Sequence, residues 1–232
     1  MNEATTPIYR LNRVHKIFPE NKGQVRILED ISFEIRAGES VAIVGSSGCG
    51  KTTLLQMMAG LDKPTSGEII FRGKDLQDLD WNTKSRLRNE QIGFVFQFHH
   101  LLPEFTTVEN VALPAMIQGE SKGVALERAR RALQRTGITR QAQQPVNTLS
   151  GGERQLTSIA RAISLGPEVI LADEPTGDLD PESGERVADL LVHQSRSLQC
   201  TLLVVTHNLH LARKMDRLLQ ISSGAIHEKT ME

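Results

Sequence analysis

Gly45-Ser46-Ser47-Gly48-Cys49-Gly50-Lys51-Thr52 has the spacing G-x-x-x-x-G-K-[ST], the pattern of a loop that cradles phosphate. Its glycines let the backbone curl until successive N–H groups face inward at phosphate oxygens. Lys51 would bring a cation to the β- and γ-phosphates, and the Thr52 hydroxyl would hold Mg²⁺. Thr53 follows in the first helical turn, where aligned peptide dipoles favour an anion. A glycine turn between strand and helix is often only structural. Here an apolar run, Val41-Ala42-Ile43-Val44, leads into the loop, and a helical stretch over 53–59 leaves it. Strand, loop and helix in that order favour a nucleotide.

Further polar residues end apolar runs in the same way. Asp173-Glu174 closes Val169-Ile170-Leu171-Ala172, Gln97 follows the strand-like 92–96, and His207 follows Leu202 to Val205. Ligands of open α/β sheets bind outside the carboxyl ends of the strands. Asp173 is placed to hold Mg²⁺. Glu174, its neighbour, points elsewhere and is free to take a proton from an attacking water. A neutral amide such as Gln97 can orient water or Mg²⁺, and the His207 imidazole can touch a γ-phosphate. Taken singly, each is more often an ordinary strand-end residue.

Ser150-Gly151-Gly152 sets a hydroxyl and bare N–H groups at the start of another helix, a second anion site or a simple capped helix. His99-His100 are adjacent and point apart, and His207 and His210 lack further ligands, so no metal is expected on histidine.

The elements that carry these residues follow from periodicity. Strands are expected over 8–17 and 26–35 with a turn at 19–23, then a hairpin through Arg72-Gly73-Lys74. These make a small antiparallel layer. From 99 to about 144 apolar residues take helical spacing, with Pro103 and Pro114 expected to break the helices and an Arg- and Ala-rich helix over 124–136. Leu156, Ile159, Ala160 and Ile163 form the inner stripe of the helix that Ser150 opens. A helix over 181–193 and a closing hairpin at 218–227 complete the chain. Alternating strand and helix around three apolar strands implies an α/β fold with a largely parallel sheet. The expected organisation is one domain over 1–232. Its core and β layer take about 1–97 and 146–232, and an inserted helical lobe takes about 98–145. Phe18, at the end of the first strand, reads as a core residue.

Composition narrows the class. A net charge of −1 with one Trp, one Tyr and seven Phe argues against a nucleic-acid reader. Two cysteines give neither a disulfide framework nor a C-x-x-C spacing, which suits a reducing compartment. Residues 1–7 lack the apolar centre of a secretory signal. No run approaches the ~20 apolar residues of a membrane span. Any membrane contact is expected to pass through a partner chain.

Taken in order, the 45–52 loop, Gln97, Leu149-Ser150-Gly151-Gly152-Glu153-Arg154-Gln155, Asp173-Glu174 and His207 resemble the motif set of the ATP-binding subunits of ABC transporters. The resemblance covers nearly the whole chain. It implies an ABC-type nucleotide-binding domain that hydrolyses ATP with Mg²⁺. It also implies a head-to-tail homodimer, each ATP lying between one copy's phosphate loop and Ser150-Gly151-Gly152 of the other. By the same resemblance Phe18 takes the adenine-stacking position and Asp178-Leu179-Asp180 crosses the seam.

Gln97-Phe98-His99-His100-Leu101-Leu102-Pro103-Glu104-Phe105-Thr106 is similar to the corresponding stretch in ATPases of bacterial lipoprotein-releasing systems. That implies extraction of lipoproteins from the inner membrane toward a periplasmic carrier. Integral permease subunits would then dock near Phe98, Leu101, Leu102 and Phe105, at the cytoplasmic face. Efflux or peptide-export ATPases share the ATP motifs, and a regulatory ABC-type ATPase acting through a membrane partner is a further reading. The chain departs from the family pattern at Leu156, usually basic, at Asp178, usually small or an amide, and at Asn208, usually Asp. Cys49 is a variant the loop allows.

Overall fold

The computed structural model describes residues 7–20 and 23–229. Along the chain run β1 (Tyr9–Glu20), β2 (Gly23–Ile35), β3 (Ser40–Val44), α1 (Lys51–Met58), β4 (Ser66–Phe71), β5 (Lys74–Asp75), α2 (Trp81–Gln91) and β6 (Ile92–Val95). Then come α3 (Thr107–Ile117), α4 (Lys122–Arg135), α5 (Gly151–Ile163), β7 (Val169–Asp173), α6 (Pro181–Leu198), β8 (Thr201–Thr206), α7 (Leu209–Ala212), β9 (Arg217–Ser222) and β10 (Ala225–Glu228).

Six strands form the central sheet in the order β10-β9-β3-β8-β7-β6. All neighbours pair in parallel except the terminal hairpin β9-β10. The unbroken apolar runs exist because both faces of this sheet are covered. Alternate residues feed two separate cores. Ala42, Val44, Ile170, Ala172, Leu202 and Val204 face one cluster, packed with α3, α4, α5 and α6. Val41, Ile43, Val169, Leu171, Leu203 and Val205 face the other, packed with α1 and the antiparallel layer. The first cluster runs without a break from the parallel strands into Val108, Val111, Ala129 and Leu133 of α3 and α4.

The antiparallel layer has the order β2-β1-β4-β5. Its alternation is imperfect because Arg13 (φ 44°) and Asp30 (φ 54°) bulge the strands. The Asp30 bulge lets Leu28 and Ile31, three apart, both face inward. Gly67 faces the Arg13 bulge. A Cβ there would lie 2.2 Å from the Arg13 carbonyl oxygen, and its φ of 89° independently favours glycine.

Two expectations change. The turn at 19–23 is narrower: Pro19 and Glu20 belong to β1 and Gly23 to β2, while residues 21 and 22 lie outside the described residues. Beyond His15 the strand is no longer covered by β4, and an edge of that kind tolerates Pro19. Residues 1–6, read above as lacking a signal, also lie outside. Second, Pro114 does not break its helix; α3 continues to Ile117. The capping box of Thr106 and Glu109 fixes the start, and the Asn89 side chain donates to the Pro114 carbonyl near the end. Helix α2 covers a stretch that periodicity left unassigned; it has no apolar stripe, and its signal is the cap alone: the Asp80 carboxylate accepts from the Thr83 amide at 2.6 Å. Among the described residues no helix is long and apolar enough to cross a membrane.

Candidate functional site

The ends of β3, β8, β7 and β6 lie side by side, so the polar residues that follow them share one edge of the sheet. A cleft of about 590 Å³ opens there. It is lined by Phe18, Gly45, Ser46, Ser47, Gly48, Gly50, Lys51, Thr52, Thr53, Gln97, Glu174 and His207, with Ile27.

Gly50 enters α1 with φ 99°, and a Cβ there would meet the Ile27 and Leu28 side chains at 2.7 and 2.8 Å. Only glycine lets the loop pass under β2 this closely. Lys51 is buried, and its ammonium donates to the Gly45 and Ser46 carbonyls at 2.9 and 3.1 Å. The Thr52 hydroxyl donates to Asp173 Oδ1 at 3.0 Å. Asp173 lies beneath the cleft, 6% exposed. Burial, helped by Glu174 beside it, holds its carboxyl above the usual aspartate range; Thr52 and Lys51 offset part of this.

Glu174 has φ 42°, a left-handed backbone that β-type continuation would not give, and this turns its side chain away from Asp173. Oε1 stands 3.6 Å from Lys51 Nζ. Oε2 accepts from the Thr206 hydroxyl at 2.9 Å and from the His207 amide at 3.1 Å, and His207 Nδ1 stands 3.0 Å from it. The carboxylate is therefore fixed at the cleft wall by two hydrogen bonds, with Lys51 and His207 Nδ1 close by. Phe18 is 40% exposed on the cleft rim, not a core residue as its position alone suggested. The Lys16 ammonium, itself paired with Asp62 at 2.7 Å, sits 4.8 Å from the ring centroid.

Not every expected residue lines the cleft. Cys49 lies in the loop and packs toward the β-layer core; a Cβ on Gly45 would be 2.6 Å from its Sγ. Ser150, Gly151 and Gly152 stand apart at the start of α5, outside the cleft of their own chain. There Ser150 Oγ accepts from the Glu153 amide at 3.3 Å, and Glu153 Oε2 accepts from the Ser150 amide at 2.8 Å. Gln141 ties the other oxygen of Glu153 to the helical region at 2.7 Å. His210 pairs with Glu185 at 2.8 Å, and no group of three metal-ligating side chains occurs among the described residues.

Thr206 and Ile27 were not foreseen as site residues. A threonine directly before a strand-end histidine is the only hint of the first; nothing in the sequence marks the second. A second, apolar groove of about 450 Å³ runs between β6, α2 and α3 and is lined by Leu61, Phe94, Phe96, Leu102, Leu113 and Ile117 among others. Of the residues expected near a docking surface, Leu102 lines it. Phe98 is 71% exposed, Phe105 is exposed and Leu101 is half-buried, all three outside the groove.

The family model described as "ABC transporter" matches residues 28–177. The chain is 48% identical over 229 residues to the lipoprotein-releasing system ATP-binding protein LolD of Nitratidesulfovibrio vulgaris, covering 99% of this chain and 98% of that one. It is 42% identical over 231 residues to the LolD protein of Coxiella burnetii, with 99% and 98% covered. Among solved structures it is similar to the dimeric, post-hydrolysis ATP-binding cassette MJ0796 bound to ADP and Pi. That match has a TM-score of 0.89 and 35% identity and covers 97% of this chain and 99% of the other. The chain belongs to the ABC transporter family, as one of its ATP-hydrolysing subunits.

Proposed function

We propose that this ATPase drives the extraction of lipoproteins from the bacterial inner membrane toward a periplasmic carrier. It would act as a peripheral subunit on the cytoplasmic face, bound to integral permease subunits. The observation that carries this reading is the end-to-end match to lipoprotein-releasing ATP-binding proteins, joined to an open apolar groove beside residues 98–105.

In this reading the chain works as a single ABC ATPase domain whose helical lobe, about 98–145, moves against the rest. The adenine stacks on Phe18, and the backbone of residues 45–50 with Lys51, Thr52 and Thr53 takes the phosphates. The Thr52 hydroxyl and Asp173 carboxylate offer two hard oxygen donors 3.0 Å apart, which suits Mg²⁺ shared with phosphate and water. Gln97 is the further candidate ligand. Bound there, Mg²⁺ supplies charge neutralisation for the transferring phosphoryl group. Glu174 takes the proton of the attacking water, Lys51 and His207 stabilise γ-phosphate charge, and Gln97 orients the water.

Ser150, Gly151 and Gly152 grip the ATP held by a second copy, so ATP closes a homodimer and hydrolysis reopens it. The dimeric neighbour and the position of these residues outside their own chain's cleft support this.

The test is reconstitution of the chain with its co-purified membrane subunits in vesicles. A lipidated protein should raise ATPase activity and pass to a soluble acceptor, while the same protein without its lipid should do neither. Stimulation by soluble peptides or small hydrophobic compounds instead would favour an exporter. A partner that responds without moving cargo would favour a regulatory ATPase.

A further inference from the structure

Arg161 lies in the last turn of α5, at the opposite end from Ser150. The Arg161 side chain is half-buried at the wall of the apolar groove and, among the described residues, pairs with no carboxylate. Instead its two terminal nitrogens donate to the carbonyls of His100 and His99, each at 2.6 Å. Both histidines have left-handed backbones, φ 57° and 47°, a conformation that side chains with a Cβ resist and that seldom occurs twice in succession. The turn starts at Phe96, whose carbonyl accepts from the His99 amide and whose ring meets the His100 ring edge-on at 4.7 Å. Gln97 sits inside this turn and projects into the ATP cleft, with its Nε2 3.7 Å from where a Cβ on Gly177 would stand.

A half-buried charge directed at two carbonyls of a strained turn, with no carboxylate beside it, is hard to explain as packing. Desolvation has lowered the Arg161 pKa to about 10, so keeping it charged there is costly. The planar fork matches two parallel acceptors, which a lysine could not grip together. We propose that Arg161 is the positioning residue for Gln97, holding the His99-His100 turn in the one shape that aims the amide at the cleft. The inference rests on the assignment of Gln97 to the ATP site. It adds a physical link along α5: one end carries the residues proposed to grip the second copy's ATP, and the other end sets a polar group at the chain's own ATP.

The test is a double-mutant cycle in the full chain purified with its membrane subunits. Arg161→Lys and Arg161→Gln should each lower kcat about 10-fold or more while KM for ATP stays within about twofold, because the turn acts after binding. Arg161→Lys should be the milder of the two. Added to Gln97→Ala, either substitution should cost no further activity. Full multiplication of the two losses would overturn the link, since a general structural defect adds to any other. If Gln97→Ala alone leaves turnover unchanged, the assignment of Gln97 fails first and the link falls with it. Melting temperature and nucleotide binding, measured on each variant, identify one that fails to fold. Arg161→Lys then carries the cycle.

Discussion

Glu174 and His207 are joined twice, through the imidazole Nδ1 at 3.0 Å and the main-chain amide at 3.1 Å, both on the same carboxylate oxygen. That leaves the other oxygen 3.6 Å from Lys51 and facing the cleft. Glu174→Gln keeps the shape and removes the base. Steady-state phosphate release should fall about 100-fold or more, with nucleotide affinity changed little. Near-normal turnover would rule out Glu174 as the base.

Phe18 offers its outer face to the cleft while Lys16 holds the ring from the strand. Base-on-aromatic stacking is worth about 1–3 kcal/mol by truncation. Phe18→Ala should therefore raise KM for ATP roughly tenfold at unchanged kcat, and Phe18→Trp should restore it. Comparing ATP with a triphosphate lacking the base tells stacking from a general defect, since only ATP should lose affinity.

Asp173 makes the nucleotide-free protein less stable than it could be. Its carboxyl titrates above the ordinary aspartate value of 3.8 because it is buried. Between that value and the raised one, the folded protein keeps a proton the unfolded chain has lost. Stability therefore falls as pH rises through that window. Asp173→Asn should raise the melting temperature at pH 7 by roughly 2–4 °C per kcal/mol recovered, a gain that shrinks toward acid pH, while ATP turnover is lost. A lower melting temperature at pH 7 would contradict this. Thermal melts across pH, without nucleotide, decide.

Much of the fold was legible because its signals are local. The runs before residues 45, 173 and 207 are apolar on both faces, a pattern few other strands could share, and each ends in a residue that lines or underlies the cleft. Ser150 ahead of an apolar stripe announced α5, and in the structure Glu153 completes its cap. Other features depend on contacts between distant residues and leave little trace. The helix α2 carries mostly polar side chains and shows only through its Asp80 cap. The continuation of α3 past Pro114 depends on neighbours, including Asn89, 25 positions earlier. The left-handed pair His99-His100 is sustained by Arg161, about 60 residues on, and neither histidine is a residue type that demands such a backbone. The exposure of Phe18 follows from where β1 ends relative to the loop, which periodicity along one strand does not encode.

The account turns on one ATP being held by two copies of this chain. The most direct measurement is the solution mass of the Glu174→Gln chain, alone and with its membrane subunits, as ATP and Mg²⁺ are added. A species of twice the 25.7 kDa chain mass should form with ATP and not with ADP, and adding Ser150→Arg should abolish it. A turnover-blocked chain that stays monomeric with ATP even beside its membrane partners would contradict the shared site, as would a Ser150→Arg chain that dimerises unchanged.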